Sequence, residues 1–174
     1  MKRPMKHVSY FRKIFLRRLL IPAVFLAAAY PPCLSQIQID VSGHWTYSVP
    51  ASNITEAGLD FTGTYTSSSN QVLISIDNDI HRFNYRVDVR RSDISWNSSI
   101  EVWAQRTGNG KPKNGYCWVS GGTSYQQITT SNQQFFIGYG RTDDIPIRYQ
   151  LRKISVLIPA TNYSTTIIYT VTEL

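Results

Sequence analysis

Apolar and polar residues alternate with a period of two along much of the chain. In Gln36–Val49, the side chains of Ile37, Ile39 and Val41 fall on one face, and three more apolar residues alternate after Gly43. A period of two places successive side chains on opposite faces of an extended strand. This pattern predicts two strand segments with a bend at Gly43.

Similar runs recur at short intervals and are separated by Ser, Gly, Asn and Asp. Eight to ten short strands are counted in this way. Asn53–Glu56 has the spacing of a helix capping box, which allows a single helical turn, and no other segment has helix periodicity over 11 residues. Regularly spaced short strands are typical of an antiparallel sandwich or a small barrel. The predicted fold class is therefore all-β. The other runs are Gln71–Ile76, Ile80–Arg90, Ile100–Arg106, Tyr116–Val119, Tyr125–Thr129 and Gln134–Tyr139.

The last segment, Ile147–Leu174, contains two runs rich in β-branched and aromatic residues. They flank a short turn, Pro159–Asn162. This arrangement predicts either a hairpin or a strand–turn–strand corner, with the final strand closing a sheet. A second turn region, Gly108–Gly115, predicts a long, flexible hairpin tip.

The first 35 residues have the features of an export signal. Seven basic residues precede the apolar run Leu19–Ala29, and Cys33-Leu34-Ser35 offers small residues for a signal peptidase. The run is shorter than the roughly 20 residues that a membrane-spanning helix needs. We therefore expect a signal peptide at 1–35, cleavage after Ser35 and one domain at 36–174. A retained membrane anchor and a lipid on Cys33 are the alternatives.

Removal of the leader changes the charge of the protein. The whole chain has 18 basic and 11 acidic residues and a formal charge of +7, but seven of the basic residues and none of the acidic ones precede Gln36. The mature domain is then electrically neutral. Its composition gives no support for a nucleic-acid partner, and no membrane span is expected once the leader is removed.

The mature segment lacks the residue sets that common catalytic and metal sites require. Its two histidines, His44 and His81, are far apart in sequence, and Cys117 is its one cysteine. Asp77-Asn78-Asp79 lacks the glycine and the distal glutamate of an EF-hand calcium loop. We expect no enzyme activity, no cofactor and no metal. Cys117 is expected to be a buried thiol, with a disulfide between chains as the alternative.

Aromatic residues are the remaining candidates for ligand binding. Trp103 is out of phase with Val102 and Ala104 and shares a face with Glu101 and Gln105. An outward tryptophan among polar neighbours can stack on sugar rings, or it can be covered by a loop. Trp103 and Trp96 are the predicted ligand platforms.

The final strand resembles a known family. The run from Ile158 to Val171 is similar to the closing strand of secreted bacterial pilin-like domains, especially spore-coat-U-like and fimbrial subunits, although Thr161-Asn162 replaces the glycine of their turn. The resemblance covers about 14 residues. It implies an immunoglobulin-like, pilin-like β-sandwich at a bacterial cell surface or in the periplasm, without enzymatic activity.

The first mature strand adds a hypothesis about partners. Its apolar residues Ile37, Ile39 and Val41 can complete the domain's own sheet or pair with the open edge of another copy or of another surface protein. The expected function is an exported, non-enzymatic structural or adhesion subunit. A carbohydrate-binding module with a polysaccharide ligand, and a small outer-membrane β-barrel, are the alternatives.

Overall fold

Nearly every regular element of the structure is a β-strand. The computed structural model describes residues 37–53, 60, 61, 63–78, 82–113 and 115–174, all within a unit that spans Leu34–Leu174. The predicted leader 1–35 and Cys33, and also Asp79 and His81, lie outside the described residues. The strands are β1 (Gln38–Ser42), β2 (Tyr65–Thr66), β3 (Val72–Asp77), β4 (Asn84–Ser95), β5 (Glu101–Arg106), β6 (Lys111–Pro112), β7 (Trp118–Ser120), β8 (Gln126–Gln127), β9 (Gln133–Tyr139), β10 (Thr142–Arg152) and β11 (Ser164–Glu173).

Two antiparallel sheets pack face to face. Sheet A has the order β1-β3-β10-β5-β8, with β2 and β6 also paired to β10, and sheet B has the order β11-β4-β9-β7. The predicted all-β antiparallel sandwich is confirmed. The described residues contain one short 3-10 turn, Ala51–Asn53, and no α-helix. None of their helical segments is long and apolar enough to cross a membrane.

Strand β10 is the centre of sheet A. Along one edge it pairs with β3 and then with β2, and along the other edge with β6 and then with β5. Its inward side chains Ile145 and Ile147 are fully buried, and Tyr149 is nearly so. Burying one aliphatic side chain contributes about 1.5–3 kcal/mol. Strand β10 therefore supplies both the hydrogen-bond framework of the sheet and a large share of the core.

A hydrogen bond between two tyrosines connects the sheets inside the core. The hydroxyl groups of Tyr149 on β10 and Tyr169 on β11 are 2.8 Å apart. Burial raises the pKa of Tyr149 to about 12 and raises the pKa of Tyr169 well above its usual value. Since a buried hydroxyl without a partner is costly, this bond favours one alignment of the two sheets.

A glycine makes room for the largest core side chain. Gly138 on β9 pairs with Tyr85 on β4, and a Cβ at position 138 would overlap the Tyr85 ring. Tyr85 is fully buried. The absence of a side chain at Gly138 thus lets the aromatic ring lie flat against the neighbouring strand.

The C-terminal runs form a corner and not a hairpin. Strand β10 belongs to sheet A and β11 to sheet B, so the segment at 153–163 carries the chain from one sheet to the other. The two strands present their apolar faces to each other across the core, where Tyr149 meets Tyr169. Sequence periodicity alone left both arrangements open.

Two predicted segments differ from the structure. The residues after Gly43 form no strand, because Trp45 stacks on Tyr149 and Tyr47 packs on Tyr65, with ring centroids 6.5 and 4.7 Å apart. The predicted hairpin tip at Gly108–Gly115, whose residue 114 lies outside the described residues, contains β6. Its flanking strands β5 and β7 belong to different sheets.

Candidate functional site

The outer face of sheet A carries a row of polar and aromatic side chains around one tryptophan. Alternation on β5 directs Val102 and Ala104 into the core, so Trp103 lies on the outer face with Glu101 and Gln105. Across the ladder, Trp103 is opposite Gln150 of β10 on one side and Gln127 of β8 on the other. Three strands therefore bring these side chains together, although they are distant in sequence.

The Trp103 ring is held in place by charged neighbours. Its Nε1–H donates to a carboxylate oxygen of Glu101 at 3.0 Å, and the guanidinium carbon of Arg152 lies 4.0 Å from the ring centroid. The same guanidinium lies 5.7 Å from the ring of Tyr125. Cation–π contacts of this kind are worth about 0.5–2 kcal/mol. Arg152 thus covers one face of the indole, which is partly buried.

The carboxylate beside Trp103 is held in its ionised form. The Lys153 ammonium, and then the indole N–H of Trp103, lower the pKa of Glu101 below its usual value. The tryptophan is therefore oriented before any ligand arrives. Such preorganisation reduces the entropy that binding would cost.

The second predicted platform, Trp96, has a different environment. Its ring packs against the hydrophobic core, its Nε1–H donates to the carbonyl of Ile100 at 3.0 Å, and Arg91 lies 5.9 Å from the ring centroid. These contacts give Trp96 a part in closing the turn before β5. Among the ring contacts of the described residues, none joins Trp96 to Trp103, so the two rings do not form one surface.

A polar cleft of about 490 Å³ opens on the same side of sheet A. It lies beside the Gln105–Arg148 pair of β5 and β10, which follows the Trp103–Gln150 pair along the ladder. Its lining side chains have hydroxyl, amide or guanidinium groups, and none of them is a carboxylate. They include Ser69, Gln105, Thr107, Asn109, Thr123 and Arg148.

A buried arginine shapes the wall of this cleft. Arg106 is 3 % exposed, and its guanidinium donates to the carbonyls of Gly121 at 2.8 Å and Gly108 at 2.7 Å and to the side-chain oxygen of Asn109. Its removal from water lowers the pKa of Arg106. Arg106 thus ties two loops to the end of β5 without forming an ion pair with any described carboxylate.

The sequence pattern does not distinguish Arg148 as a site residue. The alternation of arginine and glutamine with Ile147, Tyr149 and Leu151 indicates that Arg148 faces outward, but its position opposite Gln105 depends on strand register. The Nε of Arg148 is buried and has no hydrogen-bond partner among the described residues. A buried donor left in this condition costs about 1–3 kcal/mol.

Another group of charges joins β3, β6 and β10 at one end of sheet A. The carboxylate of Asp77 accepts from Lys113 Nζ at 2.7 Å and from Arg141 Nη2 at 2.8 Å. Asp143 lies 3.9 Å from Lys113, and Asp144 pairs with Lys111 at 2.8 Å. Arg141 and Lys113 lower the pKa of Asp77 to about 2. The carboxylate considered for calcium is thus engaged by two cations.

Ile39 and Val41, two of the residues predicted to pair with a sheet edge, lie in the edge strand β1, and Ile37 directly precedes it. β1 pairs with β3 inside sheet A, and its Ile39 and Val41 are opposite Ile76 and Ile74. Ile37 and Ile39 are half-buried against the core, whereas Val41 is 41 % exposed. Strand β1 also runs close to β11 of sheet B. The structure therefore gives the N-terminal strand a place within its own domain.

The remaining candidates are isolated. Cys117 is a free thiol of intermediate burial, and His44 is exposed. Within the ranges that the structure describes, no group of three or more His, Cys, Asp or Glu residues is placed so that it could hold a metal ion.

The comparisons with known proteins found no relative. No protein-family model, curated protein or solved structure matches the chain.

The ion group around Asp77 makes the stability of the domain depend on pH. A folded-state pKa of about 2, against an ordinary 3.8, means that the ion pairs stabilise the fold above about pH 4 and that this contribution is lost as the pH falls through about 2. We expect Asp77→Asn to lower the free energy of unfolding by about 1–2 kcal/mol at pH 7, a range that allows for partial solvent screening. Urea denaturation at pH 7, 4 and 2.5 measures it.

The difference between the wild type and Asp77→Asn should be clearly smaller at pH 2.5 than at pH 7, and it should approach zero only below about pH 2. Asp40→Asn removes an exposed carboxylate from β1 and is the control, with little effect expected at any pH. A deficit of Asp77→Asn that stays constant from pH 7 to pH 2.5 would show that the charge of Asp77 is not its cause.

Proposed function

We propose that this chain is an exported, non-enzymatic surface protein, a structural or adhesion subunit whose copies join through edge strands. The features of an export signal at 1–35 support export, and the pilin-like resemblance of 158–171 supports a surface role. The observation that carries the proposal is the outer edge of β11, with which no strand among the described residues pairs. Its other edge is paired to β4 along ten residues.

Strand β11 lacks two of the usual protections of a sheet edge, proline and basic side chains. Its sequence, STTIIYTVTE, contains no proline and no lysine or arginine, and no strand among the described residues pairs with its outer edge. Natural edge strands commonly carry such residues, since unpaired N–H and C=O groups attract other strands. A long edge that lacks them suits a protein that is meant to assemble.

Strand β1 is the donor strand that we propose for this edge. Four of its five residues are exposed, so little apolar surface holds it to its own sheet. Strands β1 and β11 are the terminal strands of their sheets and lie close to each other. Addition of β1 from one copy to β11 of the next is a head-to-tail contact, which repeats along a filament unless rotation closes it into a ring.

A charged edge should abolish assembly. Thr166 and Thr170 are exposed on β11, and the double variant Thr166→Lys/Thr170→Lys places two ammonium groups there. We expect the wild-type segment 36–174 to sediment as oligomers that grow with concentration, and the variant to remain monomeric, because pairing would have to desolvate both charges. Sedimentation velocity over a hundredfold concentration range measures the difference.

The matched control is Ser98→Lys/Ser131→Lys, which adds the same charge at exposed turns and should assemble like the wild type. Deletion of 36–42 should also abolish assembly if β1 is the donor strand. A wild type that is monomeric at every concentration, or a Thr166→Lys/Thr170→Lys variant that assembles normally, would refute assembly through this edge.

A carbohydrate-binding module is the second candidate. It is supported by the oriented ring of Trp103 on the outer face of sheet A, with Gln150, Gln127 and Tyr125 around it. Aromatic rings bordered by amide and charged groups match the alternating apolar and hydroxyl surfaces of a sugar. A sugar on Trp103 would use the part of the ring that Arg152 leaves uncovered.

The affinity for polysaccharide should then depend on Trp103. We expect Trp103→Ala to weaken binding by about tenfold, corresponding to the roughly 1.5 kcal/mol of a stacking contact. Titration of tryptophan fluorescence with soluble polysaccharides, both neutral and acidic, measures binding. Trp118→Ala, on sheet B, is the control. Equal affinity in wild type and Trp103→Ala for every polysaccharide that binds would exclude Trp103 as the platform.

A further inference from the structure

The cleft beside the Gln105–Arg148 pair has an unbalanced charge. Arg106 and Arg148 contribute two guanidinium groups to its lining, and no lining residue is acidic. The rest of the lining is hydroxyl, amide and backbone. A concave surface with excess positive charge and low-dielectric walls concentrates the field and attracts anions. The cleft is therefore electrically complementary to a negative group.

The two arginines differ in how their hydrogen-bonding capacity is used. Arg106 donates hydrogen bonds to Gly121, Gly108 and Asn109, and these bonds fix its position. Arg148 has a buried Nε without a partner among the described residues. Arg106 therefore builds the wall of the cleft and supplies fixed charge, whereas Arg148 lines the cleft and forms no ion pair with a described carboxylate.

The chemistry of Arg148 selects the kind of group that would bind. A guanidinium presents a planar fork of donors that matches the two oxygens of a carboxylate or sulfate. Such a ligand would accept hydrogen bonds from the two terminal Nη groups of Arg148, since the Nε of this residue has almost no exposed surface. A neutral sugar hydroxyl would satisfy one donor and leave the charge unbalanced.

The neighbourhood of the cleft indicates what bears that group. Gln105 Nε2 and Thr107 Oγ1 already donate to the carbonyls of Thr123 and Ser69. The amide oxygen of Gln105 and the hydroxyl oxygens of Thr107 and Thr123 can accept from sugar hydroxyls. Trp103 is opposite Gln150, two residues beyond the Gln105–Arg148 pair, so Trp103 and Arg148 are diagonal neighbours across the ladder. Their backbones are then about 7–8 Å apart. One oligosaccharide can contact both.

We propose that this cleft binds the carboxylate or sulfate of an acidic polysaccharide, with Arg148 as its bidentate partner. The inference rests on the carbohydrate-binding candidate for its ligand class, and it is independent of assembly through β11. Its decisive residue, Arg148, is not part of the Trp103 platform, so the two ideas can fail separately.

The experiment compares charged and neutral forms of the same backbone. Isothermal titration calorimetry at low ionic strength would use polygalacturonate, its methyl-esterified form, hyaluronate, heparin and dextran sulfate as ligands. We expect at least one acidic polysaccharide to bind, and Arg148→Gln to weaken that binding by about tenfold or more, since a charge-assisted hydrogen bond is lost. Arg148→Lys should retain part of the affinity, because the charge remains and the fork is lost.

Arg90→Gln is the matched control. Arg90 is on β4 of sheet B, so this variant removes the same charge from the other sheet. Its affinity should be that of the wild type within about twofold, an effect expected from screened, long-range charge alone. Circular dichroism and thermal melting of each variant ensure that a loss of binding is not a loss of folding.

Several results would overturn the proposal. One is that none of the four acidic polymers binds, and another is that methyl-esterified and free polygalacturonate bind with equal affinity. A third is that Arg148→Gln and Arg90→Gln lose the same amount of affinity. A fourth is that a single-stranded oligonucleotide of the same charge binds as tightly as the polysaccharide. Competition by millimolar inorganic sulfate as strong as that by the polymer would show a site for free anions instead. If Arg148→Gln loses affinity while Trp103→Ala binds like the wild type, the result would support binding in the cleft and reject Trp103 as a platform.

Discussion

The fold depends on β10 being paired along both of its edges. Four other strands form hydrogen bonds with it, two on each side, and its inward side chains pass through the middle of the core. The strand bends where Asp144 adopts a φ of 55°, between the register of Thr142 and that of Ile145. This bulge lets one strand face β6 and β3 at its beginning and β5 and β2 at its end. The ladders that β10 forms with β2, β3, β5 and β6 follow from that arrangement. The other two ladders of sheet A join β1 to β3 and β8 to β5.

The candidate surfaces are consequences of the same strand. Its outward residues provide an ion group around Asp143 and Asp144, then Arg148 at the cleft, and then Arg152 over Trp103. The side chains that these residues contact, such as Lys111 and Trp103, come from neighbouring strands. The terminal strands β1 of sheet A and β11 of sheet B lie close together and provide the proposed route of assembly. Binding and assembly would thus use separate parts of the domain.

The sequence predicted the local structure better than the site. Alternation identified β3, β5 and β9 because each has one face in the core and one outside, and it indicated the outward direction of Trp103. It failed after Gly43, where Trp45 and Tyr47 alternate like a strand but are held by aromatic stacking and not by a ladder. It also missed β6, since Lys111–Pro112 has no apolar pattern and pairs with β10 in a ladder of two residues. The cleft could not be predicted because Gln105 and Arg148 meet only through register.

Amide hydrogen exchange along the chain tests the central role of β10 most directly. If β10 is paired on both edges and anchors the core, the amides of Ile145 and of residues 147–151 should exchange at the rate set by global unfolding, and those of the edge strand β1 should exchange much faster. Exchange of the β10 amides at a rate as fast as that of β1 would contradict the account.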